Sequence, residues 1–140
     1  MSNTGMEVAK YLESHPKIDR VLYPGLESYE AREIAMKYMK LADTNENMYG
    51  YMLAAEIKEN NVNGSENTRK FYDALQMIWR ATDLGRVKTV ATRNAISTHQ
   101  QQGEEGRAIA DIKPSLCRIA VGIEDPADII SDLEQALDKI

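Results

Sequence analysis

The segment from Pro114 to Leu137, PSLCRIAVGIEDPADIISDLEQAL, constrains this chain more than any other. Leu116 to Val121 is a run of small and branched apolar residues that reads as a buried strand, yet Arg118 stands inside it. A guanidinium is costly to desolvate unless it meets a carboxylate or phosphate. Its planar fork matches a carboxylate bidentately, and a strand holds it more firmly than a loop would. Two arrangements answer the cost: an anion gripped by Arg118, or an internal ion pair with Glu124 or Asp125. Spacing alone favours the internal pair. The second half of the segment reads as a helix, with Asp125 as cap, Pro126 at its first position and Asp128 favourable to the dipole. Ile129, Ile130, Leu133, Ala136, Leu137 and Ile140 form its apolar face.

Upstream, helices and strands alternate. Met6 to Ser14 has mixed helical spacing and ends at His15-Pro16. Ile18 to Tyr23 reads as a strand turned by Pro24-Gly25. Ser28 caps a helix through Met39, with Ala31, Ile34, Ala35, Tyr38 and Met39 on one face. Thr44 to Asn47 is a polar loop, and Met48 to Lys58 reads as a buried strand in which Gly50 allows close backbone approach. Asn60, Asn61, Asn63 and Gly64 break the chain, and Ser65 caps a helix carrying Phe71, Leu75, Ile78 and, at its end, Trp79. A short strand, about Lys88 to Thr92, follows Asp83-Leu84-Gly85. The polar STHQQQGEEGR stretch then leads into a short helix near Glu104 to Ala110. Alternation on this scale predicts an α/β sandwich: a small sheet of about four strands with helices packed on it. Residues 1–140 read as a single domain, with no internal repeat.

Composition narrows the function classes. A formal net charge of -5 argues against a general nucleic-acid or anionic-membrane surface. Cys117 stands alone, so no internal disulfide can form, which fits a reducing compartment and a buried small hydrophobe. MSNTGMEVAKYLESHP lacks the charged-then-apolar layout of a signal peptide, and no apolar run is long enough to cross a bilayer; a cytoplasmic location is expected.

Other constellations carry less. Asp83-Leu84-Gly85 offers backbone N–H groups to an anion, or is a plain helix-terminating turn. Ser97-Thr98-His99 suggests a nucleophile, although sequence neighbours rarely point at one another, and a solvated loop explains it more simply. Glu104, Glu105 and Arg107 read as a charged helix start. His15, His99 and Cys117 show no metal-ligand spacing, and there is no GxGxxG, Walker-type loop or CxxC.

Several segments, in order, resemble the C-terminal domain of the Cys/Met-metabolism family of pyridoxal-phosphate enzymes, which includes cystathionine γ-synthase, cystathionine γ-lyase, methionine γ-lyase and O-acetylhomoserine sulfhydrylase. VAKYLESHPKIDRVLYPGLES is similar to the family's helix, strand and YPGL turn. MYGYMLAAEI stands where the family has a glycine-led strand. ATDLGRVKTVATRNAISTHQQQGEEGR is similar to its SLG–TL–HPA–TH–EER passage, and CRIAVGIEDPADIISDLEQAL closely follows its closing block. The resemblance implies the C-terminal domain of a fold-type I enzyme. It puts Arg118 on the arginine that grips the substrate α-carboxylate, with Asp83, Leu84 and Gly85 lining the same pocket. Here Asp83 replaces the usual serine, Arg93-Asn94 the usual His-Pro, Ala120 a common serine, and Asp111 a frequent glycine. An aspartate at position 83 would repel a substrate carboxylate unless it points away or is neutralised.

The resemblance also implies pyridoxal phosphate, held through a lysine in an S-x-T-K setting and a glycine-containing phosphate loop of an N-terminal domain. No lysine here has that setting. The expectation is therefore a substrate-side domain that is not active alone, serving β/γ-elimination or γ-replacement on a sulfur-containing or O-acylated amino acid. Its partners would be the amino-acid substrate, an N-terminal pyridoxal-phosphate domain, or further copies of itself. The alternatives are a non-catalytic partner or regulatory domain, and a small amino-acid- or anion-binding module built on Arg118.

Overall fold

The computed structural model describes residues 1–61 and 64–140. A five-stranded sheet of order β1-β2-β5-β4-β3 forms its centre, built from β1 (Ile18–Leu22), β2 (Met52–Ile57), β3 (Trp79–Arg80), β4 (Val90–Arg93) and β5 (Leu116–Ala120). Neighbours run antiparallel except β3 and β4, which are parallel. The helices are α1 (Ser2–Ser14), α2 (Arg32–Tyr38), α3 (Glu66–Ala74), α4 (Gly103–Ile109) and α5 (Pro126–Leu137). This is the small helix-covered sheet that the alternation predicts. The additional strand is Trp79–Arg80, read from sequence as the end of a helix. Two residues are too few for strand periodicity to register; only the parallel pairing to Val90 and Ala91 defines them.

Strand alternation sorts the sheet into two faces. Leu53, Ala55, Ile57, Ala91, Cys117, Ile119 and Val121 pack with Val8, Leu12, Phe71, Ile129 and Leu133 of the helices in one core. The other face carries Arg20, Glu56, Thr92 and Arg118. Lys113 and Asp111 reach back to Glu56 and Arg20, and Ser97 to Thr92, so the segment between β4 and β5 crosses part of this face.

Several local expectations change under tertiary contact. The first helix starts at Ser2 rather than Met6. A Cβ on Gly5 would lie 3.0 Å from Gly50 O and 3.2 Å from Tyr23 Oη, so Gly5 is the glycine that permits close backbone approach. Gly50 is needed for its positive φ of 83°, and a Cβ there would meet nothing within 4 Å. Ser28 does not cap α2; it donates to a Glu13 carboxylate oxygen, and successive turns from Tyr23 to Arg32 occupy the stretch where the helix was expected to begin. Only Ala35 of the expected face is buried within α2, while Ile34 and Tyr38 are 62% and 70% exposed.

The start of α3 is likewise held from a distance. Ser65 makes no side-chain cap; the Glu59 carboxylate accepts from Asn67 N (3.0 Å), Thr68 N (2.7 Å) and Thr68 Oγ1 (2.7 Å). Of the breakers before it, Gly64 N donates to Asn61 O at 2.8 Å, and Asn63 lies outside the described residues. At α5 local chemistry holds: Asp125 accepts from Ala127 N at 2.8 Å, with Pro126 opening the helix.

Candidate functional site

Arg118 sits at the middle of β5 on the face away from α1, α3 and α5. Its register partners are Ala54 on β2 and Thr92 on β4, both small side chains. Arg118 is half-buried, and burial lowers its pKa by working against the charge, without removing it. Its Nη2 donates to Thr82 O at 2.8 Å and lies 3.5 Å from Asp83 O. No carboxylate pairs with it among the described residues. Glu124, one of the two partners spacing suggested, instead accepts from Thr89 N (2.7 Å) and Thr89 Oγ1 (2.8 Å). Asp125, the other, is occupied as the α5 cap. An aimed arginine held by neutral carbonyls keeps capacity for an external anion.

Of the Asp83–Gly85 turn, Asp83 meets Arg118, as does Thr82 just before it. The contact runs through backbone carbonyls rather than through N–H groups pointing at an anion. The Asp83 carboxylate pairs with Arg86, so it is neutralised within the turn. Gly85 supplies the reversal at φ 71°, and a Cβ there would come 3.3 Å from Tyr51 Oη. Sequence reasoning missed Arg86; its only signal was the Asp83-x-x-Arg86 spacing. Leu84, Val87 and Ile123 are 51%, 70% and 67% exposed, and Ile123 N bonds Val87 O at 2.9 Å, so an apolar rim borders the turn.

The remaining candidates fall elsewhere. Ser97 Oγ donates to Arg93 O at 2.7 Å and meets Thr92 Oγ1 at 3.0 Å, while His99 Nδ1 meets Thr98 Oγ1 at 2.8 Å. Serine and histidine therefore do not address each other, and the nucleophile reading ends there. Glu104 and Glu105 lie exposed in the first turn of α4, favourable to its dipole. His15 Nδ1 accepts from Lys17 N at the end of α1. Asp111, at a glycine position by resemblance, has φ 52° and pairs with Arg20 at 2.5 Å; aspartate tolerates that left-handed backbone better than most residues do.

Two clefts of about 370 and 460 Å³ lie beside β1 and beside α4, and Arg118 lines neither. Chemistry, not concavity, distinguishes the Arg118 surface. Among the described residues no lysine is buried; Lys70 pairs with Glu66, and the exposed Lys113 with the buried Glu56. The residues present thus suit a carboxylate but do not fit a covalently held pyridoxal phosphate. Among the described residues no group of three metal-ligating side chains exists, and no helix is long and apolar enough to cross a membrane.

A mixed sheet backed by helices on one face thus carries, on its other face, an arginine with no carboxylate partner among the described residues. Residues 1–138 match the family model described as Cys/Met metabolism PLP-dependent enzyme, and the chain belongs to that family. It is 40% identical over 131 residues to homocysteine synthase of Schizosaccharomyces pombe, covering 94% of this chain and 28% of that protein. It is 37% identical to L-methionine gamma-lyase of Treponema denticola, covering 96% and 31%. A crystal structure described as an O-acetylhomoserine (thiol)-lyase from Campylobacter jejuni, containing N'-pyridoxyl-lysine-5'-monophosphate, superimposes with a TM-score of 0.87 at 31% identity, over 98% of this chain and 30% of that one. The chain thus spans less than a third of the length of these relatives.

Proposed function

We propose that this chain is the C-terminal, substrate-side part of a pyridoxal-phosphate enzyme of trans-sulfuration type, and that Arg118 holds the α-carboxylate of its amino-acid substrate. The observation that carries the reading is Arg118 itself, half-buried, flanked by Ala54 and Thr92, and bonded among the described residues to carbonyls of the Asp83 turn. A guanidinium fixed at one end presents its other N–H groups to a carboxylate in one orientation, which is what a positioning site requires. The cofactor lysine and phosphate cradle belong to an N-terminal part, supplied by a longer chain or a separate one. The exposed Leu84, Val87 and Ile123 beside the turn give such a part an apolar rim to pack on. When bound there, pyridoxal phosphate supplies the electron sink for β/γ-elimination or γ-replacement on a sulfur-containing or O-acylated amino acid. This chain's share is to bind and orient the substrate.

The test joins the chain with the N-terminal part of a relative and measures steady-state kinetics with methionine and O-acetylhomoserine. Arg118→Ala should raise KM by on the order of a hundredfold, the usual scale for truncating a desolvated charge partner. Arg118→Lys should recover little of it, because an ammonium cannot make the bidentate contact. Unchanged KM in both variants would refute the assignment. A second reading is a non-catalytic partner domain, for which the exposed Leu84, Val87 and Ile123 offer an apolar face to dock on. A stable, borohydride-reducible aldimine at one lysine, formed by pyridoxal phosphate with this chain alone, would overturn both readings.

A further inference from the structure

Arg118 is held by a turn that carries a charge pair of its own. Its Nη2 bonds Thr82 O at 2.8 Å and lies 3.5 Å from Asp83 O, while the Asp83 carboxylate turns to Arg86. The Arg86 guanidinium in turn lies over the Trp79 ring, 6.0 Å from its centroid, and Lys88 Nζ sits 4.4 Å from the same centroid. Gly85, with φ 71°, bends the chain so that residues 83 and 86 can meet. Asp83 therefore brings a carboxylate next to the proposed carboxylate grip. Left unpaired, it would either repel an incoming carboxylate or swing across and occupy Arg118 itself.

We propose that Arg86 is a positioning residue that masks Asp83, leaving Arg118 open to an external carboxylate. The proposal rests on the reading of Arg118 as a substrate grip. It explains how an aspartate can stand where a serine is expected: the extra charge is cancelled inside the turn, and only its backbone carbonyl faces Arg118. Trp79 steadies the masking group, since a guanidinium over an indole face is favoured electrostatically.

The masking role makes a prediction that simple loop stability does not. Five forms of the chain are compared: unmodified, Arg86→Ala, Asp83→Ser, the double variant of these two, and Arg118→Ala. Binding of L-methionine, with acetate as the minimal carboxylate, is followed by calorimetry and by the Arg118 guanidinium ¹⁵N signals. Arg86→Ala should weaken binding roughly tenfold or more, as one uncompensated nearby charge does. Removing Asp83 as well should restore binding to within about threefold of the unmodified chain, a non-additive pair effect. Arg86→Ala binding as the unmodified chain does, or a double variant as weak as Arg86→Ala, would overturn the proposal. If the unmodified chain and Arg118→Ala bind equally, the substrate-grip reading fails, and masking is judged by hydrogen exchange of the Arg118 guanidinium. Capture by an unmasked Asp83 should slow that exchange in Arg86→Ala and not in the double variant; equal rates in all forms that keep Arg118 would overturn it.

Discussion

Replacing Asp132 should cost this fold more than any single surface change, and the size of the loss follows from four hydrogen bonds. Asp132 lies on α5 and is 6% exposed. Its Oδ1 accepts from Gln76 N at 2.9 Å and from Gln135 Nε2 at 3.0 Å. Its Oδ2 accepts from Met77 N at 2.9 Å and Ile78 N at 2.8 Å. Three consecutive backbone donors after α3 thus end on one carboxylate, and that segment leads directly into β3 and the Arg118 turn. A hydrogen bond to a charged group contributes about 1.5–3 kcal/mol, and a buried donor left empty costs about 1–3 kcal/mol. Only the Ile78 bond is fully buried; water can reach the other two backbone donors, so Asp132→Ala should cost about 4 kcal/mol in all. At a few degrees per kcal/mol for a chain this size, Tm should fall by roughly 12 °C. Asp132→Asn is the sharper perturbation, because it keeps the shape. One amide oxygen can serve only one side of the site, and the NH₂ would then face an N–H donor, so a loss of about 2–3 kcal/mol is expected. Urea unfolding followed by circular dichroism measures both, and Trp79 fluorescence reports whether the turn loosens with them. An Asp132→Asn chain within about 0.5 kcal/mol of the unmodified one would refute the reasoning.

Burial pushes the Cys117 thiol up to about 12, so its thiolate is negligible near neutral pH. Ellman's reagent should leave it untouched in the folded chain at mild alkaline pH and titrate it fully in denaturant; rapid native reaction would show that β5 opens. The hydrogen bond from Arg20 holds the Asp111 carboxyl below the ordinary carboxylate range. A folded pKa below the unfolded one means that this contribution is present above the unfolded value and lost as pH falls through the folded one. Asp111→Asn should therefore shallow the acid limb of stability against pH and leave the neutral region little changed, since the pair is exposed. An acid limb identical to that of the unmodified chain would exclude a contribution from Asp111.

Much of the fold was legible where the determinants are local. The capping of α5 by Asp125 and Pro126, the positions of β1 and β5, and the breaks around Gly25 and Gly85 follow from residues within a few positions of one another. The failures occur where the determinant is distant. Ser28 and Ser65 were read as helix caps because serine accepts from nearby N–H groups, but one donates to Glu13 instead, and Glu59 from the preceding loop takes over at the other. Ile34 and Tyr38 keep helical spacing yet face outward, since periodicity defines a face without saying what covers it.

The candidate site divides the same way. From the sequence alone came an arginine in an apolar strand, the turn at Asp83 to Gly85, and the family whose closing block surrounds Arg118. The energetic cost of burying a guanidinium is a property of the residue and its neighbours in the chain, so it can be read without coordinates. Which group meets that cost is a property of space. Spacing favoured Glu124 or Asp125 as partner; the sheet turned Glu124 to Thr89, spent Asp125 on α5, and brought Thr82 and Asp83, from the loop after β3, to Arg118. Residues 35 or 36 positions apart became neighbours through strand order. Only that folding left the arginine without a carboxylate partner among the described residues and gave Asp83 a partner in Arg86.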